Sequence, residues 1–187
     1  MKSTLFHLLV VALLATTTPS QSLAADATPG AAPAQHSVYD WPFEITDLTG
    51  QKLTLATWRG KTAVIAMDHT GSIVVCSQTS RRLRAIQNSA QRLGKPFDFI
   101  VISLDPEKDT AEGWQRYLRA LDLPDAKWHF LRPSKEDALE IARRLGVNHW
   151  TEGEYLIHDL KIVRVDRQGR IVRTMEGYDR YNERFLR

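Results

Sequence analysis

A single cysteine, Cys76, is present in the chain of 187 residues. One cysteine cannot form an internal disulfide, which excludes a disulfide-stapled fold and a dithiol–disulfide cycle within one molecule. A lone thiol can still serve as a small buried side chain, a reactive nucleophile or a ligand for a soft metal ion. Any redox or metal chemistry of this chain must therefore use one thiol, or none.

Blocks of like charge are also absent from the sequence. The chain has 25 lysines and arginines against 22 aspartates and glutamates, a formal net charge of +3, and its basic residues are scattered. A nucleic-acid-binding protein usually concentrates its basic residues in one patch or stripe. We therefore expect no nucleic acid among the partners of this protein.

Long hydrophobic runs are missing apart from one near the N-terminus, where Lys2 precedes an apolar stretch over residues 5–15. That stretch is short for a membrane-spanning helix, and residues 22–24 (Ser-Leu-Ala) form a suitable cleavage site. These features predict a secretory signal peptide over residues 1–24, with an uncleaved anchor as the alternative. We expect a periplasmic protein that does not span the membrane once the signal is removed.

The remainder of the chain suits one domain preceded by a tether. Residues 25–38 are rich in alanine, proline, threonine and glycine, a composition typical of disordered segments. We therefore predict a disordered tether over residues 25–38 and a single folded domain over residues 39–187.

The folded part of the chain alternates between strand and helix patterns. Two nearly continuous apolar runs, residues 62–67 and 97–104, predict buried strands, and an amphipathic helix is predicted between them from about Val75 to Leu93. The other predicted elements are a hairpin over residues 43–55, a helix beginning after Asp109, a helix beginning after Ser134 and ended by Gly146, a strand over residues 128–131 and a closing hairpin over residues 161–175. A βαβ start with a closing antiparallel hairpin is typical of the thioredoxin-like α/β fold. We expect a central mixed sheet with helices on both faces and an N-terminal hairpin extension.

Four stretches of the folded part form a recognisable pattern. They are Gly60-Lys61 before the first buried strand, Thr-Gly-Ser-Ile-Val-Val-Cys-Ser at residues 70–77, Ile-Ser-Leu-Asp-Pro-Glu-Lys-Asp-Thr at residues 102–110, and His158 ahead of residues 161–170. This pattern resembles the SCO/SenC family, periplasmic or mitochondrial proteins that deliver copper to cytochrome oxidase. The stretch at residues 102–110 is fairly specific for the family, and the resemblance covers roughly residues 42–175.

The resemblance implies a copper site. Members of the family bind copper through two cysteine thiolates and one histidine, and Cys76 and His158 match the second cysteine and the histidine. Ser72 stands where the first cysteine would be, and a hydroxyl is a poor ligand for a soft metal ion. The partners that the resemblance implies are the copper subunit of cytochrome oxidase or periplasmic thiol-redox proteins.

Two residues beside this loop are candidates for the missing third donor. Met67 ends the first buried strand and His69 follows it, and Cu(I) accepts both thioether and imidazole ligands. Strand alternation would place both side chains on one side if the strand continued to residue 69. The alternative is structural, with Met67 in the core and His69 in contact with solvent or with Asp68.

The other site residues also have structural alternatives. The dipole of the helix would favour a thiolate at Cys76 near its N-terminal end, yet free cysteine is among the residues most often buried. His158 is either a ligand or a histidine that hydrogen-bonds to the backbone, and Ser72 is either a helix cap or a lost ligand. We expect Asp109 to cap the helix that follows it.

Two further functions stay open beside copper handling. A thiol redox protein with one cysteine would act through mixed disulfides or as a peroxidase, and would need an accessible thiol of low pKa. A non-catalytic binding module would keep the fold and use only its surface.

Overall fold

The computed structural model describes residues 36–71, 75–120, 127–177 and 182–187, with the backbone alone at residues 75–77 and 120. The predicted signal peptide and most of the predicted tether lie outside these residues. No helix within the described ranges is long and apolar enough to span a membrane.

Strands and helices alternate along the described chain, which also has two short 3₁₀ turns over Val38–Asp40 and Leu55–Trp58. The elements are β1 (Ile45–Thr46), β2 (Lys52–Leu53), β3 (Ala63–Asp68), α1 (Val75–Arg92), β4 (Asp98–Ser103), α2 (Ala111–Ala120), β5 (Trp128–Leu131), α3 (Lys135–Leu145), β6 (His149–Glu152), β7 (Tyr155–His158), β8 (Lys161–Val165), β9 (Ile171–Glu176) and α4 (Asn182–Leu186).

Five of these strands form a central sheet in the order β5-β4-β3-β8-β9. Strand β4 runs parallel to β3 and β5, whereas β8 runs antiparallel to β3 and β9. The sheet is therefore mixed, as the sequence predicts. The strands β1 and β2 form the predicted N-terminal hairpin.

The two faces of the central sheet bury different helices. All six residues of β3 and of β4 are buried, and successive side chains point to opposite faces because a strand has a period of two residues. Ile65 and Ile100 pack with residues of α3 in one apolar cluster. Val64 and Val101 pack with residues of α1, α2 and α4 in the other. Helices thus cover both faces, which confirms that part of the prediction.

Local signals in the sequence set the ends of α3. The Ser134 hydroxyl accepts a hydrogen bond from the Asp137 N–H at 3.0 Å and caps the start of the helix. Gly146 adopts the left-handed conformation with φ of 69° and ends it. Both ends agree with the prediction.

Ordered packing begins before Tyr39. The Val38 N–H donates to the Gly169 carbonyl at 2.8 Å, and the Ser37 hydroxyl donates to the Gln168 carbonyl at 2.6 Å. A Cβ at Gly169 would clash with Ser37 Oγ and the Tyr39 ring, so the turn between β8 and β9 needs glycine where it contacts the N-terminal segment.

Two elements of the structure were not predicted. Strands β6 and β7 form a separate two-stranded hairpin, and α4 has only five residues. All four residues of β6 are exposed, so its sequence lacks the alternation of apolar and polar residues that marks a half-buried strand. His158 precedes β8 as predicted, but it is the last residue of β7, a strand that the sequence did not predict.

Candidate metal centre

Buried polar side chains collect at the carboxyl ends of β3 and β4. The central sheet is otherwise apolar in its interior, and ligands of open α/β sheets bind at this edge. The residues are Asp68 and Ser103 at the two strand ends, His69 just after β3, Asp109 before α2, and His158 at the end of β7; all are buried. Burial of polar groups costs free energy unless they are hydrogen-bonded.

The Asp68 carboxylate is completely buried and has donors on both oxygens. Its Oδ1 accepts from the His69 N–H at 2.8 Å, and its Oδ2 accepts from the Tyr117 hydroxyl of α2 at 2.8 Å. These two hydrogen bonds fix the direction of the carboxylate beside His158. Asp68 was not among the site residues predicted from the sequence, although a charged residue ending a buried apolar strand is an unusual pattern.

The His158 ring is 3% exposed and is oriented by its own backbone. Its Nδ1 lies 2.8 Å from the Asp159 carbonyl, and since a carbonyl can only accept, Nδ1 carries the proton. Nε2 lies 3.5 Å from Asp68 Oδ1 and has no hydrogen-bond partner among the described residues. A ligand histidine is commonly held in this way, with one ring nitrogen bonded to a carbonyl and the other available.

The pKa values of the two buried histidines are shifted in opposite directions. Burial alone would lower the pKa of His158, but Asp68 and the Asp159 carbonyl outweigh it and raise that pKa above its usual value. Burial lowers the pKa of His69 below its usual value, so this ring is neutral at neutral pH. A neutral imidazole is the form that binds a metal ion.

The two rings lie close enough to share an ion. Their centroids are 5.6 Å apart in an edge-on arrangement with an interplanar angle of 65°. Two imidazoles that bind one ion through bonds of about 2.0–2.1 Å place their centroids about 5–6 Å apart.

A second buried carboxylate, that of Asp109, is hydrogen-bonded to the start of the loop that follows β3. Asp109 Oδ1 accepts from both the N–H and the hydroxyl of Thr70 at 2.7 Å, and Oδ2 accepts from the Ser103 hydroxyl at 2.6 Å. Burial raises the pKa of Asp109. The prediction that Asp109 caps α2 is wrong, because its side chain turns inward to these donors. The Thr110 hydroxyl accepts from the Gly113 N–H at 3.1 Å in its place.

The other predicted donors are distributed differently. Met67 is buried in the apolar cluster on the α3 side of the sheet. The strand ends at Asp68, so the alternation that would have placed Met67 and His69 together stops before residue 69. Cys76 is the second residue of α1, and its side chain, like the whole of Ser72, lies outside the described residues.

The described side chains supply a pair of imidazoles rather than a complete site. Within the described ranges, no three histidine, cysteine or acidic residues are arranged to hold a metal ion. A third donor would have to come from the segment around Cys76 or from a partner. The pair has the chemistry that copper accepts once His158 Nε2 has lost its proton, namely two imidazole nitrogens in a buried setting.

The sequence and the fold were compared with those of known proteins, and both comparisons indicate the same family. The sequence matches the SCO1/SenC family over residues 31–185, whereas no curated protein matches it. The fold is similar to that of a SCO1/SenC family lipoprotein from Bacillus anthracis, with a TM-score of 0.69 and 18% identity over 78% of this chain and 93% of the other.

Two further structures are similar. One is BsSco, a Sco family cytochrome c oxidase assembly protein with a disulfide switch, with a TM-score of 0.71 and 19% identity over 82% of this chain and 91% of that one. The other is copper-bound ScoI from Bradyrhizobium japonicum, with a TM-score of 0.58 and 26% identity over 78% of this chain and 98% of that one. These likenesses confirm the thioredoxin-like fold. Because the family match spans most of its length, this chain belongs to the SCO1/SenC family.

Proposed function

We propose that this protein is an exported copper-handling protein that takes up a copper ion and passes it to a partner. The ion is cargo rather than a resident cofactor. The observation that carries the proposal is the buried His158 ring, whose Nδ1 is bonded to a backbone carbonyl and whose Nε2 has no hydrogen-bond partner among the described residues. Copper-bound ScoI from Bradyrhizobium japonicum supports copper as the metal.

Three residues would hold the ion. Cys76 would supply a thiolate, which the N–H groups and dipole at the start of α1 favour. His158 and His69 would supply neutral imidazoles. We favour His69 over Met67 as the third donor, because the His69 ring lies 5.6 Å from that of His158 whereas Met67 packs in the apolar cluster.

Asp68 would control the proton that competes with the ion. Its carboxylate is 3.5 Å from His158 Nε2 and raises the pKa of His158, so an ion that binds Nε2 must displace this proton. Loss of the ion would return the proton to the ring. Asp68 would thus stabilise the empty site, which suits a protein that releases its cargo.

A site with only one thiolate would bind Cu(I) more weakly than a site with two, because thiolates are the softest donors available. Weaker binding favours transfer over storage. We further propose that the transfer takes place in the periplasm after removal of the signal peptide. The proposed partner is the copper subunit of cytochrome oxidase or a periplasmic thiol-redox protein; BsSco, a cytochrome c oxidase assembly protein, supports the former.

Titration with Cu(I) in competition with a chromogenic chelator tests the proposal. Wild type should bind one ion per chain, and Cys76→Ser and His158→Ala should each lower the affinity by about tenfold or more, roughly 1.4 kcal/mol. His36→Gln changes an exposed histidine far along the chain and should leave the affinity unchanged. If wild type binds no copper, or if Cys76→Ser and His158→Ala bind it as wild type does, the proposal is wrong.

A further inference from the structure

A third histidine lies directly across the β6–β7 hairpin from His158. In the register of this hairpin, His149 of β6 is the partner of His158 of β7. Side chains of directly opposed residues in an antiparallel pair lie on the same face. His149 therefore shares a face of the hairpin with the buried histidine of the candidate metal centre.

The cross-strand pair of His149 and His158, called a rung here, is held in place by the neighbouring pair of Asn148 and Asp159. The Asp159 N–H donates to the Asn148 carbonyl at 3.0 Å, while the Asp159 carboxylate accepts from the Asn148 N–H at 3.1 Å and from its side-chain amide at 2.8 Å. In an antiparallel pair of strands, a residue pair joined by backbone hydrogen bonds is followed by a pair that is not. In the second kind of pair the side chains lie closer together, and the Cα atoms are about 4.5 Å apart. His149 and His158 occupy that closer rung.

The two histidines of the rung differ in access to solvent. His149 is exposed, whereas His158 is 3% exposed and His69 is 2% exposed, and the ring centroids of the two buried histidines are 5.6 Å apart. Access to solvent thus falls from His149 to the buried pair. Few of the ring atoms of the two inner histidines are reachable by an ion in solution.

We propose that His149 is the outer metal donor of this site, which captures the copper ion at the surface and passes it to His158. The inference rests on the proposed copper-handling function. In the transfer step the bond from the ion to a His149 ring nitrogen breaks as the bond to His158 Nε2 forms, the proton that Nε2 carries beside Asp68 is released to solvent, and the ion keeps its oxidation state. An exposed imidazole lets the ion exchange its other ligands one at a time instead of losing them all before entering the buried site.

The role of an outer donor has a distinct kinetic signature. A residue on the route of the ion changes the rates of entry and exit together, because it stabilises the transition between surface and site rather than the bound state. A residue that holds the ion at equilibrium changes the affinity instead. His149→Gln keeps a polar side chain of similar length at the exposed position and removes the imidazole.

Stopped-flow exchange of Cu(I) between protein and a chromogenic chelator measures both rates. We expect His149→Gln to slow uptake and removal by about tenfold, the lower end of what loss of a supporting residue costs at a metal site, with no change in the equilibrium affinity. His36→Gln, which removes another exposed histidine, should exchange copper as wild type does. Circular dichroism of each variant establishes that the fold is retained.

The outcomes separate this inference from the proposed function. If wild type binds copper and His149→Gln exchanges it at the wild-type rates, His149 is only a surface residue and the inference alone is overturned. A His149→Gln variant with lower affinity but unchanged uptake would equally contradict the entry role. If wild type binds no copper, the proposed function and the inference fall together.

Discussion

Strands β3 and β4 are buried along their whole length, yet their middles and their carboxyl ends differ in chemistry. The middles carry apolar residues on both faces: Ile65 and Ile100 pack on the α3 side, and Val64 and Val101 pack on the other side. The ends carry Asp68 and Ser103, which need hydrogen-bond partners because water is excluded. The same sheet therefore has an apolar region that stabilises the fold and a polar region whose buried groups must be supplied with hydrogen-bond partners.

This difference indicates what each region is for. Apolar residues at positions 68 and 103 would fill the interior without needing donors from Tyr117 or an acceptor at Asp109. The polar end contributes a fixed carboxylate and an oriented imidazole, at a cost in desolvation that an apolar end would avoid. We infer that stability depends mainly on the middle of the sheet and metal binding on its polar end.

The largest expected effect on stability is in the middle of the sheet. Ile100 is completely buried in β4, and Ile100→Ala should lower the free energy of unfolding by about 2–5 kcal/mol through lost burial and the cavity left behind. Its affinity for Cu(I) should stay at the wild-type value. Urea unfolding measures the change, with Leu139→Ala, at a residue 46% exposed, as the control. A loss below 1 kcal/mol would contradict the role given to the middle.

The largest expected effect on binding comes from restoring the second thiol. Ser72→Cys should raise the affinity for Cu(I) by about a hundredfold, roughly 2.7 kcal/mol, because two thiolates and an imidazole suit copper better than one thiolate does. Chelator competition measures the gain, and adding His158→Ala should remove most of it. An unchanged affinity in a folded Ser72→Cys variant would mean that residues 72, 76 and 158 do not converge.

A smaller effect is expected where the polar end is anchored. Thr70→Val removes the hydroxyl that donates to buried Asp109 and should cost about 1–3 kcal/mol in the free energy of unfolding. Thr174→Val, at an exposed position of β9, makes the same chemical change without a buried partner and should cost almost nothing. Equal losses in the two variants would mean that the buried hydrogen bond contributes no more than an exposed hydroxyl.

The smallest effect concerns the pH dependence of stability without metal. Since the pKa of His69 is lowered by folding, its contribution is present above about pH 6.5 and is lost as the pH falls. The pKa of His158 is raised, so its contribution is present below that pH and is lost as the pH rises through the folded-state pKa.

The two histidines thus predict opposite changes in variants. His69→Gln should reduce the loss of stability on the acid side, and His158→Gln should reduce the loss on the alkaline side. Urea midpoints measured on metal-free protein from about pH 5 to about pH 8 cover both the acid and the alkaline side of the stability profile. If both variants keep the pH profile of wild type, folding does not shift the pKa values of the two rings in opposite directions.

The middle of the sheet was predictable from sequence, whereas most of the polar end was not. Continuous apolar runs identified β3 and β4, and Ser134 with Gly146 fixed the ends of α3, because these signals are local. The partners of Asp68 are Tyr117 and His158, which are distant along the chain. Hydrophobic periodicity reflects local structure, so it cannot predict contacts between residues that are distant along the chain.

The resemblance to the SCO/SenC family was confirmed by the family match, and it pointed to His158 before any geometry was known. It could not indicate His69 as the neighbour of His158, since that contact depends on where β3 ends. The β6–β7 hairpin was missed because its exposed residues carry no burial pattern. The roles of Cys76 and His158 as metal donors stay predictions.

X-ray absorption at the copper edge of the Cu(I)-loaded protein identifies the donor atoms themselves and therefore tests whether copper binds at the polar end of the sheet. We expect one sulfur donor from Cys76 and two imidazole nitrogen donors from His158 and His69. The imidazole signal should fall by half in His69→Gln, and the sulfur signal should vanish in Cys76→Ser. A spectrum without imidazole scattering, or one unchanged in His69→Gln and Cys76→Ser, would contradict the assignment of the polar end of the sheet as the copper site.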